Sequence, residues 1–177
     1  PLLTNDVPDL VMWMDGDDLD GDWLSDSGQP GEAVLNWIDK TGNGYNLTSR
    51  RGDPTRAAGP NGNGVVDFDG DDGLWANKSL NGKAPNFTIF SVARWTGGQN
   101  GRVISNYDLN WFHGFHANGK KSFYFYGWLT NGGGGTDVDW HIHASTMNAS
   151  DQGNTWLDGA KLTSNGTGAH NTAYQPR

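Results

Sequence analysis

The sequence predicts an all-β fold in which two antiparallel sheets pack as a sandwich, and three observations support this prediction. Short runs of β-branched and aromatic residues alternate about every ten residues with corners rich in Asp, Asn and Gly, as strands alternate with turns. The 177 residues include 27 Gly, and no stretch keeps the helical spacing of apolar residues for three turns. Only 34% of the residues are hydrophobic, but nine Trp, seven Phe and five Tyr supply large side chains for a core.

The strand pattern predicts ten elements in chain order. They are expected at residues 9–14, 34–38, 65–68, 87–95, 102–105, 111–116, 122–129, 140–147, 155–157 and 160–163, with Asp158 and Gly159 as the hairpin turn before the last. Residues 19–33 and 49–64 are predicted to be irregular. These two stretches exceed the usual length of a loop, which indicates functional loops or loops held by an ion.

Composition limits the classes of function. The length suits one domain over residues 1–177, which we expect to be a segment of a larger protein. The net charge of −8 argues against nucleic acid and anionic membrane as partners, and no apolar run is long enough for membrane insertion. With no Cys, disulfides cannot stabilise the fold. Nineteen of the twenty acidic residues are Asp, a short carboxylate that serves turns and hard cations.

Several motifs carry a resemblance to a known family. They read LVMWMDGDD at 10–18, VLNWIDKTGNG at 34–44, VVDFDGDD at 65–72, NWFHGFH at 110–116, FYFYGW at 123–128, TDVDWHIH at 136–143 and WLDG at 156–159. Their order resembles the laminin-G-like branch of the concanavalin A-like lectin/glucanase superfamily, in its bacterial surface-protein variant. The resemblance implies a jelly-roll sandwich that is extracellular or on the cell surface. The chain lacks the family's final strand segment, so we expect either a fragment or a sandwich completed by a strand from a neighbouring copy.

Two acidic clusters are candidate calcium sites. The first comprises Asp15, Asp17, Asp18, Asp20 and Asp22, five carboxylates within eight residues that repel one another unless a cation neutralises them. The second comprises Asp69, Asp71 and Asp72, with Asp67 beside them on the preceding strand. The resemblance favours Ca²⁺, since calcium at the rim is frequent in the family. The alternative is that both clusters are solvated turns.

An aromatic platform is the candidate ligand-binding surface. In the predicted strand 122–129, alternation places Phe123, Phe125 and Leu129 on one face and the aromatic residues between them on the other. We expect the platform to present a row of aromatic and imidazole side chains, a kind of surface on which sugar rings stack: Trp111, His113, Tyr124, Tyr126, Trp128 and His141. The alternative is a second core layer under loops. Paired His141 and His143 also allow a transition-metal site, for which no third ligand is evident.

The leading interpretation is a non-catalytic extracellular module that binds a glycan or a surface protein, with calcium at an Asp-rich rim. The main alternative is a structural subunit of an extracellular filament or surface assembly, self-associating by strand addition. A polysaccharide-active enzyme ranks third, because glycosidases of this fold use two glutamates on one strand and this chain has only Glu32.

Overall fold

The structure is a computed structural model that describes residues 6–78, 86–97, 102–106, 111–117, 119–125, 127–130, 135, 137–148 and 152–162. In these residues the chain forms twelve β-strands, all paired antiparallel, and no α-helix. The prediction of an all-β, antiparallel fold is therefore confirmed. Within the same residues no helix is long and apolar enough to cross a membrane.

The chain clusters into two units, residues 1–79 and residues 80–177. The prediction of one domain over 1–177 stays a prediction. Over residues 6–78 the first unit contains four short strands: β1 (Leu47–Arg51), β2 (Thr55–Ala58), β3 (Gly64–Asp67) and β4 (Gly73–Ala76). They form two two-stranded sheets, β1 with β4 and β2 with β3. Most of the first unit is therefore loop.

Two strands predicted in the first unit are wrong, because their backbone groups bond to loops and side chains instead of a ladder. In residues 9–14 the Trp13 amide donates to the Asp39 carboxylate at 3.1 Å. In residues 34–38 the Ile38 amide donates to the Leu19 carbonyl, and Trp37 makes an isolated bridge to Leu47. The stretch 49–64, expected to be irregular, instead contains most of β1 and all of β2.

Within its described residues the second unit contains eight strands in two four-stranded sheets. One sheet has the order β12-β11-β10-β5 and the other the order β6-β7-β8-β9. The bounds are β5 (Phe87–Ala93), β6 (Ile104–Ser105), β7 (Trp111–His116), β8 (Gly119–Phe125), β9 (Trp128–Thr130), β10 (His141–Met147), β11 (Gly153–Leu157) and β12 (Ala160–Lys161).

Two turns of the second unit bear on strands and turns that were predicted from the sequence. The predicted strand 122–129 is wrong as one strand, since a turn at Gly127 divides it into β8 and β9 and sets Tyr124 opposite Trp128. The Asp158-Gly159 turn is confirmed between β11 and β12, with φ of 51° and 79° at its two residues. Left-handed backbone at both positions is what this short hairpin turn requires.

An aromatic core joins the inner faces of the two sheets of the second unit. The Trp111 and Phe125 rings stack at 5.3 Å, and Phe87 of β5 lies 5.6 Å from Phe125. The core side chains are Trp111, Phe123, Phe125, Leu129 and Met147, flanked by Phe87, Ile89, Ile104 and Leu162. Phe123, Phe125 and Leu129 thus share one face, as alternation predicted.

We predict that Phe123→Ala lowers the free energy of unfolding by about 3–5 kcal/mol, because its ring is fully buried and its loss leaves a cavity. Urea unfolding followed by tryptophan fluorescence measures the change. Phe90→Ala is the matched control, since the Phe90 side chain is 71% exposed and should cost far less. Equal losses in the two variants would contradict the assignment of the core.

Candidate functional site

The acidic loop of residues 15–26 is organised around the buried carboxylate of Asp18. Its Oδ1 accepts hydrogen bonds from the amides of Gly21 (2.7 Å) and Asp22 (3.1 Å). Its Oδ2 accepts one from the Trp23 amide (2.9 Å) and lies 2.7 Å from Lys40 Nζ. A carboxylate has about four lone-pair sites, so these four donors occupy Asp18 fully.

Lys40 balances the negative charge of this loop. Its Nζ lies 3.0 Å from Asp15 as well as 2.7 Å from Asp18, and its side chain is almost completely buried. The same ammonium lies 4.6 Å from the centre of the Trp23 ring and 5.5 Å from that of Trp13. Burial alone would raise the pKa of Asp18, but Lys40 and the Trp23 amide hold it below the usual value. Lys40 was not predicted as the counter-ion, because it follows the loop by fourteen residues or more in the sequence.

Asp17 and Asp26 fasten the loop to the β2–β3 hairpin. Asp17 accepts hydrogen bonds from Ser25 Oγ at 2.6 Å and from the Gly64 amide at 2.6 Å, and these bonds lower its pKa. Asp26 pairs with the buried Arg56 at 2.9 Å. The two backbones approach so closely that a Cβ on Gly16 would lie 2.9 Å from the Gly64 carbonyl oxygen. Asp17, which was predicted as a calcium ligand, thus has protein partners here.

Asp39, outside both acidic clusters, anchors its own turn. Its carboxylate accepts hydrogen bonds from the amides of Thr41 (3.0 Å) and Tyr45 (3.2 Å) and from Thr41 Oγ1 (2.8 Å). It also accepts the Trp13 amide at 3.1 Å, which ties residues 9–14 to this turn.

The predicted calcium ligands divide into two groups within the described residues. Asp18, Asp20 and Asp22 present carboxylate oxygens that lie within 4.8 Å of one another, and so do Asp69, Asp71 and Asp72. Asp15 and Asp17 belong to neither group. In the second group, each carboxylate oxygen of Asp72 accepts one hydrogen bond, Oδ1 from the Asp53 amide and Oδ2 from the Asp69 amide. Each oxygen therefore keeps one free lone pair.

The predicted aromatic platform is divided between the two faces of the β6–β9 sheet. Trp111 and His113 are buried in the core of the second unit, so their placement on one surface with Tyr124 is wrong. The register explains the difference: Phe112, and neither Trp111 nor His113, pairs with Tyr124. His141 is also buried, on the other sheet. Tyr126 lies outside the described residues.

The opposite face of the same sheet carries a second aromatic cluster, which we call the outer cluster: Phe112, Tyr124, Trp128 and His116. Tyr124 lies 5.2 Å from Trp128 and 5.9 Å from Phe112 between ring centres. Arg102 lies 4.6 Å from the centre of the Phe112 ring. Phe112 is buried, whereas Tyr124 and Trp128 are half-buried. Phe112 was not predicted as a site residue from the sequence. Because successive side chains of a strand point to opposite faces, its position next to Trp111 places it on this face.

Two neutral histidines lie in the core of the second unit. His113 Nδ1 is 2.8 Å from Ser145 Oγ, and His113 Nε2 is 3.0 Å from Ser91 Oγ. His143 Nε2 is 3.2 Å from the Lys120 carbonyl oxygen, and Nδ1 has no partner. Burial lowers the pKa of His113 to about 3 and that of His143 to about 4.

His141 lies between two carboxylates. Its Nδ1 is 2.7 Å from Asp158 and its Nε2 is 2.8 Å from Asp137, which also contacts Lys120. Burial opposes the imidazolium, but Asp137 and Asp158 raise the pKa of His141 above its usual value. Both nitrogens of His141 and of His113 are therefore engaged. Among the described histidines and carboxylates, only the two Asp groups bring three ligand atoms together for a metal.

Comparison with family models, with curated proteins and with solved structures gave no significant match. The laminin-G-like resemblance therefore stays an expectation from the motifs.

We predict that Asp18→Asn lowers the free energy of unfolding of the first unit by about 3–5 kcal/mol, because it leaves the buried Lys40 with half of its counter-charge. Since the pKa of Asp18 is lowered on folding, its contribution is present above pH 3.8 and is lost as the pH falls through the folded value. Urea unfolding measures both effects. Asp20→Asn, at an exposed position, is the control and should stay close to wild type. Equal effects of the two variants would refute the role of Asp18.

We predict that the second unit loses stability as the pH falls from about 6.5 towards 4. Over this pH range histidines take up protons in the unfolded state, while His113 and His143 stay neutral in the folded state. Each of the two therefore lowers the free energy of unfolding by about 1.4 kcal/mol per pH unit. His141 acts oppositely: its contribution is complete below pH 6.5 and is lost as the pH rises through its folded pKa. Urea unfolding at several pH values should show a shallower acid slope for His143→Phe. An unchanged slope would contradict burial of a neutral imidazole.

Proposed function

We propose that this chain is a non-catalytic extracellular module that recognises glycans, built on a jelly-roll sandwich and binding calcium at exposed Asp clusters. The outer cluster is the observation that carries the proposal. Tyr124 and Trp128 form a half-buried aromatic pair on a sheet face that the core does not use. Sugar rings stack on such aromatic surfaces, and polar tips beside them fix the orientation.

A neutral imidazole lies beside the aromatic pair of the outer cluster. His116 lies 4.7 Å from Phe112 and 6.3 Å from Trp128 between ring centres, and its Nδ1 is buried without a hydrogen-bond partner. Burial and the charge of Arg102 lower the pKa of His116, so it is neutral at pH 7. A neutral imidazole beside an aromatic pair favours an uncharged or weakly anionic sugar.

The chemistry of the described carboxylates favours binding over catalysis. A glycosidase needs two carboxyl groups that are free to act on the sugar. In the second unit, Asp137 and Asp158 are both committed to His141, and Asp137 also to Lys120. Turnover of a polysaccharide by the purified chain would establish the enzyme alternative instead.

Calcium fits the second acidic cluster better than the first. Asp18 has no free lone pair, so an ion in the first loop would depend on Asp20 and Asp22 with backbone carbonyls. The pKa of Asp20 is nevertheless raised: its hydrogen bond from Asp22 lowers it, but burial and the charges of Asp22, Asp26 and Asp18 outweigh this. Uncompensated negative potential therefore remains there. We expect the stronger site at Asp69, Asp71 and Asp72 and a weaker one at Asp20 and Asp22.

We predict that Trp128→Ala and Tyr124→Ala each weaken glycan binding at least about tenfold, roughly 1.4 kcal/mol, by removing half of the stacking pair. A glycan array identifies the ligand and calorimetry measures the affinity. Phe90→Ala is the matched control, because it removes an exposed aromatic ring from the other sheet. If no glycan binds, or if Phe90→Ala loses as much affinity, the proposal fails.

We predict that 2 mM Ca²⁺ raises the Tm of the wild type by several degrees over excess EGTA, because the ion binds the folded state alone. The Asp69→Asn/Asp71→Asn double variant should lose most of this shift. The Asp20→Asn/Asp22→Asn double variant removes the same charge and should keep most of it. If calcium does not change the Tm of the wild type, the proposed calcium sites are wrong.

A further inference from the structure

The outer face of the β5–β10–β11 sheet carries an apolar patch that is uncovered among the described residues. Val92 pairs across the strands with Ile142, and Phe90 pairs with Ala144, which in turn pairs with Trp156. The side chains of Phe90, Val92 and Ile142 are 71%, 59% and 52% exposed. Large side chains exposed together on one face of a sheet mark an interaction surface more often than single exposed residues do.

This face has a basic rim held by aromatic rings. At one end Arg94 lies 5.0 Å from the centre of the Trp140 ring, and both continue the odd-even alternation of the face. At the other end Lys161, opposite Trp156 in the register, lies 5.9 Å from the Trp156 ring. Stacked cations of this kind keep their charge available to a partner. The face therefore suits a partner with an apolar centre and acidic edges.

The first unit presents a surface of that description, which we call the acidic tip: Asp20, Asp22, Trp23 and Leu24. Trp23 is 41% exposed and Leu24 is 68% exposed, and both carboxylates beside them are exposed. The tip is rigidly held, since Trp23 has φ of 73°, donates its amide to Asp18 and packs edge-on against Trp13 at 5.5 Å. Left-handed backbone at a Trp is costly and persists only where the surroundings fix it.

We propose that the chain self-associates head to tail, the outer face of one copy receiving the acidic tip of a second copy. The charge of the two units supports this pairing. Residues 1–79 hold five Lys or Arg and fifteen Asp or Glu, a net −10, whereas residues 80–177 hold seven and five, a net +2. Opposite charges steer and orient such contacts, and the apolar centres supply affinity.

Other occupants of the outer face are less well matched. Two outer faces packed on each other would bring the basic rims of both copies together, which like-charge repulsion opposes. An anionic membrane would attract the rim but repel the first unit with its net −10. The inference is independent of glycan binding, which uses the other sheet of the second unit. Head-to-tail contacts that do not close into a ring produce an open array.

Sedimentation and light scattering in EGTA, over a range of protein concentrations, test the proposal. We expect the wild-type mass to rise with concentration above the 19.2 kDa of one copy and the rise to shrink at high salt. Leu24→Asp should disable the tip and Phe90→Asp the outer face, each raising the dissociation constant at least about tenfold. Leu35→Asp makes the same change at another exposed leucine and should associate like the wild type.

Mixing the two disabled variants is the decisive step. Leu24→Asp retains its outer face and Phe90→Asp retains its tip. The mixture should therefore form a heterodimer and no larger assembly. Ile142→Asp replaces Phe90→Asp if circular dichroism shows that the latter is unfolded. A wild type of 19.2 kDa at all concentrations, or a mixture that stays monomeric while the wild type associates, would overturn the head-to-tail assignment.

Discussion

The ion pair of Lys40 with Asp15 and Asp18 is the interaction on which the first unit depends. This unit has few buried apolar side chains in its described residues, and three of its buried residues, Asp18, Asp39 and Arg56, are charged. Each is bonded to donors or acceptors from distant segments, so the loops are tied to one another by charge-assisted hydrogen bonds instead of a ladder. Removing one partner takes counter-charge away from a buried group, so each of these pairs contributes to the stability of this loop-rich unit.

The second unit uses a different solution. Its aromatic core is ordinary, but His113 and His143 replace apolar residues at the centre and are kept neutral by burial. His113 joins β7 to Ser91 of β5 and Ser145 of β10, so one buried side chain links the two sheets of the second unit. With the core on the inner faces, Tyr124 and Trp128 remain on one outer face and Phe90 and Val92 on the other. Two distinct outer faces with aromatic side chains follow from that packing.

Sequence reasoning succeeded where the signal is local and failed where partners are distant in the chain. The strand at residues 111–116 and the Asp158-Gly159 turn have local signals, and both were predictable. Strand β2 has a weak pattern of Thr, Arg and Ala, and its buried Arg56 pairs with Asp26, thirty residues away. The role of Lys40 was hidden for the same reason. The platform was divided wrongly because a period-two pattern gives two faces and does not say which one meets the core.

Hydrogen–deuterium exchange at the amides of Gly21, Asp22 and Trp23 in EGTA tests most directly whether the chain itself orders the acidic loop. These three amides donate to Asp18, whose charge Lys40 balances. The account predicts slow exchange in the wild type without calcium and fast exchange in Lys40→Met, with or without calcium. Fast exchange in the wild type that becomes slow only when calcium is added would contradict it and assign the ordering of the loop to the ion.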